Sequence, residues 1–154
     1  MAAALAAIWS PELPERLGAG YWNHLTRLFA GVLRARHDSS GVVILVGFEP
    51  LVLMRFGAPR HELRAERATV RWPIAGGLLV ARAGGSLEIA AEPRDGAVAG
   101  EAVLHVRVVV DGYRPTVARR LGEWLYLATQ ARVHVWVTHG YLRALEASAP
   151  RQPE

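Results

Sequence analysis

From Val117 to Leu145 the apolar residues keep one spacing. Val117, Leu121, Trp124, Ala128, Ala131, Val135, Thr138, Leu142 and Leu145 follow each other at alternating steps of four and three. That period draws a single stripe along an α-helix. It predicts a rod of about thirty residues, ~45 Å long, with Pro115 in its first turn. A one-sided stripe has to be buried against another layer, so the rest of the chain must supply that layer. A rival reading stays open, because Val133–Thr138 alternates like a strand and Gly140 offers a turn or kink.

The middle of the chain has strand patterning. Val42–Phe48 is apolar and β-branched, Glu49–Pro50 breaks it, and Leu51–Phe56 resumes until Gly57 and Pro59. His61–Ala68 has no period and receives no assignment. Val70, Trp72 and Ile74 alternate with Thr69, Arg71 and Pro73, a strand with one buried face in which proline implies an edge or an end. Ala75–Gly76–Gly77 and Gly84–Gly85 set off Leu78–Arg82 and Ser86–Ala91, and their glycines supply the positive φ of tight turns. After the polar stretch Pro93–Gly100, Ala102, Leu104, Val106, Val108 and Val110 oppose Val103, His105, Arg107 and Val109 in the longest strand. Short connections favour antiparallel neighbours.

Ahead of these strands, Tyr21–His37 reads as a helix burying Trp22, Leu25, Leu28, Phe29, Val32 and Leu33, stopped by Asp38-Ser39-Ser40-Gly41. Pro11 and Pro14 make residues 1–18 an arm, and 149–154 is a tail. The expected fold is therefore one α+β domain over 19–148: a curved antiparallel meander of five to seven strands packed on a long C-terminal helix, preceded by an N-terminal helix. This order of elements resembles the helix-grip folds of the START-like superfamily, without the strand that usually precedes the first helix. Lipocalin-like cones fit the same pattern.

Composition narrows the chemistry. The chain has 154 residues, 51% of them hydrophobic, enough for one core. Cysteine is absent, which excludes disulfides, iron–sulfur clusters, thiol nucleophiles and cysteine-bound zinc. The net charge is +4, and all 18 basic residues are arginine. They are scattered, with Arg119–Arg120 the one adjacent pair and Arg34 and Arg36 the next closest. Nucleic-acid binding relies on clustered phosphate contacts, so this pattern argues against it. No apolar run reaches the ~18–20 residues of a membrane-spanning helix. Met1–Ile8 lacks the positive flank of a secretory leader, so a cytoplasmic protein is expected.

Side chains able to carry chemistry are few. His134 and His139 lie five apart, about 140° around a helix, and His24 and His37 thirteen apart, so no metal site is expected. His139 falls about 40° from Val135, which places it at the seam as a core histidine or as a polar group closing an apolar cavity. His105 and Arg107 share the less apolar strand face. No Gly-x-Ser-x-Gly elbow, lysine-bearing phosphate loop or cofactor motif occurs, and Ser86, Glu88 and Glu92 are expected on a solvated face. Trp22, Trp72 and Trp124 each point inward from a different element, as core filler or as the wall of a pocket. Tyr113, Tyr126 and Tyr141 would supply polar groups at its rim.

The sequence thus leads to a small-hydrophobic-ligand site made of Trp22, Trp72, Trp124, His139 and Tyr113, needing no cofactor or metal. Two other readings stand beside it. One is an acid–base enzyme (cyclase, isomerase or hydrolase) using His139 or His105. The other is a homodimeric interaction protein using the Val133–Val137 side of the long helix.

Overall fold

The computed structural model describes residues 9–38, 40–46, 51–95, 102–112, 114–115 and 135–145. Trp124, Tyr113, Tyr126 and His134 lie outside them, as does 116–134 of the expected rod.

The first helix, α1, runs Leu13–Leu28 and buries Leu13, Pro14, Leu17, Gly18, Tyr21 and Trp22. It starts at Leu13 rather than Tyr21, so part of the expected arm is helical. Pro14 begins this helix instead of excluding it, because a first-turn residue needs no amide partner and proline already has helical φ. The helix also ends earlier than expected. Ala30 and Gly31 take φ of 48° and 78°, and the Gly31 amide returns to the Thr26 carbonyl at 3.1 Å. Residues 33–38, expected as its last turns, form a strand. The Thr26 hydroxyl donates to the Trp22 carbonyl at 3.1 Å and accepts from the Ala35 amide at 3.3 Å, fixing that strand to the helix.

The strands are β1 (Leu33–Asp38), β2 (Gly41–Val46), β3 (Leu51–Gly57), β4 (Arg60–Leu63), β5 (Ala68–Gly76), β6 (Val80–Arg82), β7 (Ser86–Asp95), β8 (Ala102–Asp111) and β9 (Arg114–Pro115). A second helical segment, α2, covers 135–145. The fold is α+β. One seven-stranded antiparallel sheet has the order β1-β2-β3-β5-β7-β8, with β4 also on β5. β4 occupies the unassigned stretch; all four of its residues are exposed, which left no period to read. β6 leaves the meander and pairs with β9.

Pro73 sits inside a central strand, contrary to the edge expected for it. The Ile74 amide bonds the Gly85 carbonyl at 3.0 Å, so by alternation the nitrogen of Pro73 faces away from β7, toward β3 and β4. There the chain breaks between Gly57 and Arg60, and no carbonyl ladder needs a donor from position 73. A Cβ on Gly57 would lie 2.9 Å from the Pro73 ring.

β5 alternates as its sequence foretold: Ala68, Val70, Trp72 and Ile74 are buried, while Arg71, Pro73 and Ala75 are exposed. With Val42, Ile44, Phe56, Leu87 and Ile89 they form the inner face that α1 covers in one core cluster. Trp72 lies so close to the helix that a Cβ on Gly18 would be 2.7 and 2.8 Å from two of its ring carbons.

Helical geometry at 135–138 removes the rival strand reading there, and the helix continues through Gly140. Its stripe is rotated from the expected one. Val137 and Tyr141 are buried, Thr138, Leu142 and Leu145 half-buried, and Val135 is 55% exposed. The expected seam was phased on Val135; the observed one centres on Tyr141.

Alanine normally stabilises a helix over glycine by ~1 kcal/mol. At Gly18 the sign should reverse: overpacking against Trp72 costs ~1–3 kcal/mol. Urea denaturation of Gly18→Ala, with a lowered midpoint and an unchanged slope, checks this.

Candidate functional site

The inner face gathers aromatic side chains around α1. Trp22 meets Trp72 edge to face with ring centres 5.2 Å apart, Phe56 at 5.1 Å and Tyr21 at 5.2 Å. Tyr21 in turn meets Tyr141 of α2 at 5.5 Å, nearly perpendicular. Edge-to-face pairs set a positive ring edge on a negative ring face and add ~0.5–1.5 kcal/mol beyond area burial. The helix can present these rings because Tyr21 and Trp22 are adjacent and splay about 100° apart, one toward α2 and one toward the sheet.

Tyr141 is the joint between the two helices. Its hydroxyl donates to the Leu17 carbonyl at 2.7 Å. Its ring rests 3.4 Å from where a Cβ on Gly20 would lie, and 6.2 Å from the ring centre of His24. In return, a Cβ on Gly140 would stand 2.7 Å from His24 Nε2. Glycine on each helix thus admits an aromatic ring of the other. Burial raises the phenol pKa of Tyr21, and burial together with the neighbouring Tyr21 raises that of Tyr141.

Three polar atoms in this apolar setting are buried with no partner among the described residues: Trp22 Nε1 and His24 Nε2 on α1, and Thr138 Oγ1 on α2. Each unpaired buried group costs ~1–3 kcal/mol. Leu25, Leu28, Leu142 and Leu145 are partly buried against the same core.

Of the expected site residues, Trp22 and Trp72 are buried and in contact. Trp124 and Tyr113 fall outside the described residues. His139 is exposed, about 160° around α2 from Tyr141, because the true seam is phased on Tyr141. His105 is exposed on the outer face of β8, opposite Glu92. Arg107 is exposed beside it. Glu88 and Glu92 meet Arg67, at 2.7 and 3.8 Å, and Ser86 is buried beneath the Arg71 side chain, which donates to it at 2.8 Å. Tyr141 was expected as a polar group at the pocket's rim, whereas His24 and Thr138 were not part of the expected site.

No protein-family model, curated protein or solved structure matches the chain. No helix among the described residues is long and apolar enough to cross a membrane.

The paired tyrosines predict an alkaline transition. Lysine and cysteine are absent, so tyrosines are the side chains that titrate between about pH 9 and 12. The unfolded chain releases phenolic protons near pH 10, whereas the folded chain holds those of Tyr21 and Tyr141 to higher pH. Above that point the unfolded state binds fewer protons, so stability falls as pH rises. Tyr141→Phe should lose ~1 kcal/mol at neutral pH with its hydrogen bond. It should also show a shallower decline above pH 10, measured by denaturant midpoints across pH.

Proposed function

We propose that this protein binds a small hydrophobic molecule bearing a polar group, held where α1 and α2 meet over the inner face of the sheet, in a helix-grip-like arrangement. One observation carries the reading: Trp22 Nε1, His24 Nε2 and Thr138 Oγ1 are buried without partners among the described residues, in a core of aromatic and aliphatic side chains. A bound oxygen or nitrogen function would satisfy these atoms, and the ligand's apolar body would complete the cover of Leu25, Leu28, Leu142 and Leu145. Trp22 and Trp72 form the floor of this site, and His24 takes the role that the sequence reading gave to His139.

The test is native mass spectrometry of the purified protein beside a denatured sample. The expected result is a co-purifying small molecule that Thr138→Val and His24→Leu each reduce. The ligand-free Thr138→Val protein should melt higher than ligand-free wild type, since it no longer buries an unpaired hydroxyl. Equal native and denatured masses, together with a Thr138→Val variant that melts lower, contradict the reading.

A further inference from the structure

We propose that β8 pairs with the β8 of a second copy of this chain, joining two sheets edge to edge about a twofold axis at Val108. β8 closes one end of the main sheet, and among the described residues nothing bonds its outer side. Its ladder with β7 runs from Ser86↔Asp111 to Asp95↔Ala102 without a register shift, whereas β2–β3 and β3–β5 both carry one. Natural sheets blunt exposed edges with charges, lysine above all, with proline or with bulges. β8, reading AVLHVRVVVD, has no lysine, proline or bulge, and its charged residues are Arg107 and Asp111.

The alternation of the ladder identifies the groups on offer. The Ile74 amide bonds the Gly85 carbonyl at 3.0 Å, so Leu87 and Ile89 turn their backbone groups to β5, and Glu88 and Ala90 turn theirs to β8. Val109 and Arg107 answer them. Leu104, Val106, Val108 and Val110 are then the residues whose amides and carbonyls point away from the sheet. The strand is also accessible: His105, Arg107 and Asp111 are exposed, and Val110 is 36% exposed.

Charge and the length of the ladder together select the register. With Val108 on the axis, Val106 faces the partner's Val110, and amides and carbonyls match in both directions. On the outer face His105 then lies opposite the partner's Asp111, with Arg107 diagonal to the same carboxylate, and both contacts repeat across the axis. Centring on Arg107 would set two guanidinium groups directly opposite each other. Centring on Val106 would set His105 against Arg107. Centring on Val109 would set Arg107 opposite the partner's Asp111, but it would bring Gly112, with φ of 64°, opposite Val106 and so confine the ladder to Arg107–Asp111, shorter than the His105–Asp111 ladder about Val108. This proposal is independent of the ligand site.

The absence of cysteine gives the experiment a clean background. Sedimentation over a concentration series should show wild type at twice 16.8 kDa. His105→Cys mixed with Asp111→Cys should give a disulfide-linked heterodimer on oxidation, while each alone gives little, because only the unlike positions face each other. Val108→Pro removes an amide that by alternation points away from β7 and makes no bond among the described residues, so a folded monomer is expected. Should that variant fail to fold, Asp111→Arg carries the same test at an exposed position, placing like charge against His105 and Arg107. A wild type that stays monomeric throughout overturns the proposal. So does a dimer unaffected by Asp111→Arg, or cross-linking equal in single and mixed samples.

Discussion

The structure depends on how closely one helix approaches the sheet. Gly18 lets the Trp72 indole reach the backbone of α1, and that approach sets the depth at which Trp22 lodges between Trp72 and Phe56. With the depth set, Tyr21 is left facing the other way, where Tyr141 closes on it. A chain of ring contacts, three edge-on and one tilted, thus runs from the sheet through α1 to α2. The interior is specified by ring geometry as well as by apolar area.

Tyr141 has a different standing from the other rings. It belongs to the same core as the sheet residues, yet its hydroxyl bonds to α1. The C-terminal helix is therefore tied to the first helix. Glycines at 20 and 140 make the crossing close. That closeness buries His24 Nε2 against a backbone that offers it no partner.

Much of the fold was legible where one face alone is buried. β5 shows plain alternation, and the glycine pairs at 76–77 and 84–85 all take positive φ. What was missed had physical reasons. Pro14 opens a helix as readily as it bars one, so α1 was read as starting too late. β1 reads LRARHD, with a weak apolar face on an edge strand, and its arginines extended the helical reading. Leu142 and Leu145 fit both a stripe phased on Val135 and one phased on Tyr141, and tyrosine looked like a rim residue until its hydroxyl was seen to find a carbonyl. For the candidate site, the two tryptophans were legible because each lay on a clear inward face. His24 was not, because its burial comes from Gly140, distant in sequence and adjacent only after folding.

The central claim is that α2 docks on α1 through Tyr141 while α1 docks on the sheet through Trp22. Two-dimensional proton NMR of the aromatic rings tests it most directly. The account predicts cross-relaxation between Trp22 and both Trp72 and Phe56, and between Tyr141 and Tyr21, in one folded species. Tyr141 cross-peaks to strand residues alone, with none to Tyr21, would contradict it.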